Sequence, residues 1–210
     1  MTRNLENSVG ELFLRVGIIG AGIQAKDAHL PAFHSLEGVE ISAIADINEK
    51  AAKTLAKKYQ IPHVYVDFHD LINNPDIDLV SICTPNHLHR EMAVACANAG
   101  KHILIEKPMA TTVGDAEEII RAVKKNNIKL CVVQNYRFFP AVKEAKKRIQ
   151  DGRIGDIVSI HAYGHLLQSF DRSWALSEGN AGVIEDFGPH LIDILFYLTG
   201  FDEVKKVYAV

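Results

Sequence analysis

Cysteine is scarce in this sequence, and an excess of positive charge is missing. Three cysteines, Cys83, Cys96 and Cys131, stand among 210 residues. Their number is odd and no CxxC spacing occurs, which argues against a disulfide framework or a structural zinc site and fits a reducing, cytoplasmic setting. A net charge of −3 offers no basic surface to nucleic acid or anionic lipid. No apolar run approaches the roughly 18 residues that would cross a bilayer. Residues Met1–Leu14 carry Glu6 and Glu11 and lack a basic start followed by an apolar stretch, so they do not read as a signal peptide. Low complexity and internal repeats are also absent. What is present is the composition of an ordinary globular protein, 48% hydrophobic and 23% charged, long enough for one large domain or for one full domain and part of a second.

Short apolar runs alternate with amphipathic ones. Strands are expected at Arg15–Ile19, Val39–Ala45, His63–Val66, Leu79–Cys83, His102–Glu106 and Lys129–Val133. Helices are expected at Glu49–Tyr59, Phe68–Asn73, His87–Ala99 and Val113–Asn126, with Gly100 as a stop signal after the third. A β-α-β-α rhythm of this kind implies a doubly wound parallel sheet with helices on both faces. The rhythm changes between Gln134 and Pro140. Beyond it come a charged helix, Ala141–Gln150, and two strand-like runs, Ile157–His165 and Val204–Val210. The expected division is residues 1–135 for the first domain and 136–210 for part of a second.

The first chemical signal follows the first strand. Gly20-Ala21-Gly22-Ile23-Gln24-Ala25 reads G-x-G-x-x-A between a strand and a helix. Gly20 permits the tight turn, Gly22 lets backbone approach a pyrophosphate, and Ala25 lets the helix pack closely. The phosphates then meet the helix N-terminus, with Ile23 and Gln24 beside them. Asp46 ends the second strand roughly 20 residues further on, where an acidic side chain binds ribose hydroxyls and repels a 2′-phosphate. NAD is therefore favoured over NADP. A plain helix cap before Asn48–Lys50 is the other reading of Asp46.

Two further constellations sit at expected strand and helix ends. Leu79–Cys83 runs into Thr84-Pro85-Asn86-His87-Leu88-His89, where Pro85 fixes a turn and Thr84 and Asn86 offer polar groups; simple turn and cap chemistry explains them equally well. His87 reads as an exposed or capping histidine. The next strand ends in Glu106-Lys107-Pro108. An ammonium at the end of a buried strand needs a task or a partner: Lys107 either shares a proton with a substrate hydroxyl or pairs with Glu106 or another acid. Finally, Asp186, His190 and Asp193 share a face if the segment is helical, although Gly188-Pro189 suggests that the helix starts near those residues. A histidine oriented by a carboxylate suits removal of a hydroxyl proton; a capped helix start with a structural histidine is the alternative. No metal ligand set has recognisable spacing.

Together these motifs resemble the Gfo/Idh/MocA oxidoreductases across nearly the whole chain. The nucleotide loop at Gly20–Ala25, Thr84 to His89, Ala99-Gly100-Lys101-His102, Glu106-Lys107-Pro108, Asn135-Tyr136-Arg137-Phe138 with Pro140, and Gly182 through Asp193 carry the likeness. The resemblance implies a Rossmann domain followed by an α/β domain with an open, mainly antiparallel sheet, with substrate between them. It implies Lys107, Asp186 and His190 as catalytic residues. It implies Gly20, Gly22, Ile23, Gln24, Asp46, Thr84, Pro85, Asn86, His89, Glu106 and Lys107 beside the cofactor, and a cis peptide before Pro108. The implied activity is hydride transfer between NAD and a carbinol or carbonyl carbon of a sugar, cyclitol or related polyol. An NAD-dependent glycoside hydrolase and a non-catalytic NAD-binding regulator are the alternatives. A homo-oligomer formed through the second-domain sheet is expected, with no nucleic-acid or membrane partner. Family members continue past the point where this chain stops, so the expectation is a chain truncated within the second domain.

Overall fold

The computed structural model describes residues 13–163, 183–200 and 203–208. The chain divides into two compact units, Met1–Val133 and Gln134–Val210.

The first unit is built on six parallel strands: β1 (Leu14–Ile19), β2 (Val39–Ala45), β3 (His63–Tyr65), β4 (Leu79–Ile82), β5 (His102–Ile105) and β6 (Leu130–Val132). Their order across the sheet is β3-β2-β1-β4-β5-β6, each neighbour parallel. That is the doubly wound order, whose direction reverses between β1 and β4. Every expected strand of this unit forms; the central runs bury both of their faces, and the edge strands β3 and β6 are half-covered. Ile18 and Ile44 pack on one side of the sheet with Leu30 and Leu55, while Ile19, Ala43 and Ala45 pack on the other with Leu71, Ile82 and Ile103. Each fully buried isoleucine contributes about 1.5–3 kcal/mol relative to exposure.

The connecting helices are α1 (Leu30–His34), α2 (Glu49–Tyr59), α3 (Phe68–Asn73), α4 (His89–Asn98) and α5 (Val113–Lys125). Local chemistry sets their starts: Asn48 accepts the Ala51 N–H, Asp67 that of His69, and Thr112 that of Asp115. The helix after β1 is less regular. Its Ala25–His29 segment is a π-turn leading into α1. Pro31 lies at the start of α1; without an N–H it cannot continue the α ladder, and a widened turn absorbs the break.

The second unit holds a 3₁₀ turn at Asn135–Phe138, α6 (Pro140–Gln150) and α7 (Val183–Thr199). Lys146 Nζ donates to the Leu198 carbonyl at 3.2 Å, tying α6 to the end of α7. One expectation is corrected here. Helix α7 does not begin at Gly188-Pro189: it starts at Val183 and carries Pro189 inside it. Proline is most at home in a first turn, but a long apolar helix tolerates one in its interior at the cost of a hydrogen bond. The open antiparallel sheet is not seen among the described residues. Residues 157–163 and 203–208 lie in no strand, and Val158, Tyr163, Val207 and Tyr208 are largely exposed. A strand exists through its ladder partners, and two short runs alone are marginal in water. The remainder of Ile157–His165 and of Val204–Val210 falls outside the described residues.

Candidate functional site

Four strand ends of the first unit converge on one edge of its sheet. Backbone bonds carry the ladder just beyond the strands: Gly20 N–H donates to Ala45 O, Cys83 N–H to Ile19 O, and Glu106 N–H to Ile82 O. Gly20, Asp46, Thr84 and Lys107 are thus placed by the register of β1, β2, β4 and β5, on either side of the point where the strand order reverses.

The glycine turn has the shape its sequence requires. Gly20 has φ +99°, and a Cβ there would stand 2.7 Å from the Cys83 carbonyl oxygen. Only glycine combines that dihedral with so close a neighbour. At Gly22 the situation is the opposite: a Cβ would meet nothing within 4 Å. The loop is tight where it touches the next strand and open where a ligand would lie. Ala25 is fully buried against β1 and β2 neighbours. The first α-type bond of the helix runs from Lys26 N–H to the Gly22 carbonyl, which places the amides ahead of it outside the helix's own ladder. An open glycine, helix-terminal amides and a nearby carboxylate fit a dinucleotide pyrophosphate and ribose.

Asp46 bridges this turn. Its Oδ2 accepts the Ala21 N–H at 2.6 Å and its Oδ1 the Asn48 N–H at 2.7 Å. The cap of α2 is Asn48 rather than Asp46, so Asp46 is held at the loop and not consumed by the helix.

On the other side of the reversal, Pro85 is exposed and Asn86 opens a 3₁₀ turn, Asn86–Leu88. Thr84 Oγ1 donates to Met92 Sδ at 3.3 Å. His87 is exposed, as its sequence position suggested. His89, expected beside the cofactor, is completely buried. Its Nδ1 lies 2.7 Å from the Pro108 carbonyl oxygen and its Nε2 3.0 Å from that of Thr84. Its contacts are therefore with the loop and the Pro108 turn, which it clamps together. Burial lowers its pKa although both carbonyls pull the other way.

Lys107 is half-buried and precedes a cis peptide to Pro108. Its backbone N–H donates to Glu106 Oε2 at 3.1 Å. Glu106 Oε1 lies 2.8 Å from His29 Nε2, and His29 Nδ1 lies 2.9 Å from Ser81 Oγ. Glu106, expected to touch the cofactor, is buried in this internal network. Burial works against its charge, but the His29 contact and the Lys107 N–H outweigh it, and its pKa falls below the usual value. For His29 burial likewise lowers the pKa, and contacts with Cys83 and Glu106 reverse this, raising it to about 10. Sequence reasoning missed His29, a lone histidine in a helix with no motif to mark it.

In the second unit, Asp186 and His190 lie one turn apart on α7, with His190 buried. The Tyr136 ring stacks on the His190 ring, with centroids 4.1 Å apart and planes within 8°. Phe139 stacks on Tyr136 at 4.6 Å, and Phe187 meets His190 edge-on. Asp193, three residues after His190 on α7, forms a two-point ion pair with Arg137, whose Nε donates to Oδ2 at 2.6 Å. The motif Asn135–Phe138 was legible, but its use as a support for the α7 histidine was not.

The fold and the turn define a dinucleotide-binding α/β protein, and comparison narrows the class. Residues 14–134 match the family described as "Oxidoreductase family, NAD-binding Rossmann fold", and residues 142–210 match the "GFO/IDH/MocA C-terminal domain". The chain belongs to the Gfo/Idh/MocA oxidoreductase family. It is 38% identical to a levoglucosan dehydrogenase of Pseudarthrobacter phenanthrenivorans, covering 93% of this chain and 54% of the relative. It is 29% identical to a myo-inositol 2-dehydrogenase of Thermotoga maritima, covering 93% and 58%. The chain thus spans a little over half the length of these curated relatives. Among solved structures, levoglucosan dehydrogenase in complex with NADH and levoglucosan superposes with a TM-score of 0.76 at 36% identity, over 89% of this chain and 54% of that one. An aldose-aldose oxidoreductase from Caulobacter crescentus, complexed with glycerol, gives 0.78 at 33% identity, over 90% and 58%. Among the described residues no helix is long and apolar enough to cross a membrane, and no group of three or more His, Cys, Asp or Glu is placed to hold a metal.

Proposed function

We propose that the protein is an NAD-dependent oxidoreductase acting on a CH–OH group of a sugar, cyclitol or related polyol. The observation that carries this reading is the edge at the strand-order reversal, where the open Gly22 turn, Asp46 and Lys107 stand at the carboxyl ends of β1, β2 and β5. Likeness to levoglucosan and inositol dehydrogenases supports the substrate class.

In this reading Gly20 to Gln24 hold the pyrophosphate and Asp46 accepts from the adenosine ribose hydroxyls. Thr84, Pro85 and Asn86 line the same edge. Bound NAD supplies the hydride acceptor or donor. Lys107 holds the reacting oxygen through its ammonium, which steadies negative charge as the hydroxyl proton leaves. His190 takes or returns that proton, and Asp186, one turn away, orients the imidazole and holds a substrate hydroxyl. Glu106 and His89 act at one remove, through the backbone of the Lys107–Pro108 turn. The two units form an NAD-binding domain and part of a substrate domain.

A panel of sugars and cyclitols offered with NAD or NADP, read at the reduced-nicotinamide absorbance, tests the proposal. Reduction of NAD by at least one polyol is the expected result. Release of an aglycone with no net reduced cofactor would replace the dehydrogenase by a hydrolase, and binding of NAD with no turnover of any polyol would overturn the proposed activity.

A further inference from the structure

His29, the partner of Glu106, has no place in the hydride-transfer scheme, yet the pair is buried. His29 lies on the π-turn of the helix that begins directly after the glycine loop. Glu106 ends the strand that delivers Lys107. The two side chains are 6% and 12% exposed and meet at 2.8 Å. Both oxygens of the carboxylate are used: Oε1 faces His29, and Oε2 accepts the Lys107 backbone N–H. His29 is gripped from its other side by Ser81 Oγ in the middle of β4, and Ser81 Oγ lies 3.7 Å from Cys83 Sγ. A doubly protonated ring satisfies this chain in one direction, with Nε2–H donating to Glu106, Nδ1–H to Ser81, and the Ser81 hydroxyl to Cys83. A buried charge pair is costly unless geometry and further hydrogen bonds complete it, and here they do.

We propose that His29 is a positioning residue: through Glu106 it ties the helix behind the nucleotide loop to the peptide of Lys107, so that cofactor binding at the loop steadies the lysine two strands away. The tie is a property of the fold; its value to the reaction rests on the reading of Lys107 as the group that meets substrate oxygen. The raised pKa of His29 agrees with a protonated ring at neutral pH.

Residue-resolved amide exchange by NMR on the 210-residue chain tests this. In His29→Leu the Lys107 amide should exchange at least tenfold faster. The Ile103 and Val133 amides, which bond to Lys129 O and Ile105 O, should stay within twofold. A merely structural role would speed all of them together, and that result, or an unchanged Lys107 rate, overturns the tie. Should His29→Leu fail to fold, His29→Gln decides: it keeps a donor without the charge, and at least a threefold rise at Lys107 is expected, an unchanged rate being fatal. Saturating NAD should slow the wild-type Lys107 amide threefold or more and leave that of the His29 variant unmoved. If calorimetry shows NAD bound and the wild-type Lys107 rate does not respond, the coupling is wrong. If NAD does not bind at all, the cofactor reading and the coupling fail together, while the cofactor-free comparison still decides the tie.

Discussion

Lysines 101 and 107 bracket the same strand, β5, and the sheet treats its two ends differently. At the amino end Lys101 is only 8% exposed. Its Nζ donates to the carbonyl oxygens of Asn74 and Ile77 at 2.7 and 2.8 Å, closing the loop that leads into β4. Nearby, Arg15 bonds Asp78 and Asp76 at 3.3 and 2.9 Å. At the carboxyl end Lys107 is half-buried on a turn whose backbone is fixed by Glu106 and His89. The amino end uses a lysine ammonium to hold the carbonyls of a loop; the carboxyl end fixes the backbone that carries its lysine. Sequence position made Lys107 look expensive and left Lys101 unremarked; the contacts show what each does.

The largest expected effect tests that division directly. Lys107→Ala should lower kcat by roughly 10²–10⁴, the range of a positioned proton-transfer group, with NAD affinity by calorimetry and the melting temperature nearly unchanged. His190→Ala should lower kcat by a similar factor, with a fall in melting temperature as well because its buried ring stacks on Tyr136. Retained kcat in either variant removes that residue from the proposed chemistry.

The contrast sharpens at the opposite end. Lys101→Met should leave NAD affinity intact and cost about 1–3 kcal/mol in urea unfolding, because two buried carbonyls lose their donor. A stability loss at Lys107→Ala equal to that at Lys101→Met would erase the distinction between the two ends.

The carboxyl end should also carry its own pH signature. His29 is raised from 6.5 to about 10, so its contribution to stability is full below about pH 6.5 and is lost as pH climbs toward 10. Glu106 is lowered from 4.5, so its contribution is full above about pH 4.5 and is lost on acidification. The titratable neighbours are Lys107 on the same turn, His89 from α4 and Cys83 just after β4. The difference in melting temperature between wild type and a His29→Gln/Glu106→Gln double variant should therefore peak between about pH 5 and 6.5. A flat difference from pH 5 to 9 would show that the pair does not hold its charges.

Much of the first unit was legible because its signals are local and repeated. Short runs such as Leu79–Ile82 bury both faces, so apolar content alone marks them, and Asn48 and Thr112 announce the helices they cap. The glycine turn was legible because Gly20 and Gly22 have steric reasons that hold in any sequence. What escaped was long-range. The His29–Glu106 contact joins residues 77 apart, and the Arg137–Asp193 pair joins residues 56 apart. Lys101 stood inside a quoted motif without revealing that its partners are carbonyls from another loop. Tyr136 gave no sign that its ring would lie on His190. Gly188-Pro189 misled, because the signal for a helix start is the same as that for an interior break.

Asp46 offers the finest test of the carboxyl edge, because it does two things at once. Its carboxylate holds the Ala21 and Asn48 amides, and in the proposed function it also meets the ribose. The two roles separate if both cofactors are measured. Loss of the loop bond in Asp46→Ala should weaken NAD and NADP by a common factor of a few-fold, since either pyrophosphate needs the turn. Loss of the negative charge should act on the ratio, relieving repulsion of the 2′-phosphate; about 1.4 kcal/mol of relief is a tenfold shift toward NADP. Asparagine is a poor substitute for this purpose, because its NH₂ would face one of the two backbone donors. Calorimetric titration of wild type and Asp46→Ala with each cofactor gives both factors. Equal wild-type affinity for NAD and NADP would remove Asp46 from the ribose, and a changed common factor with an unchanged ratio would leave it as a brace for the glycine loop alone.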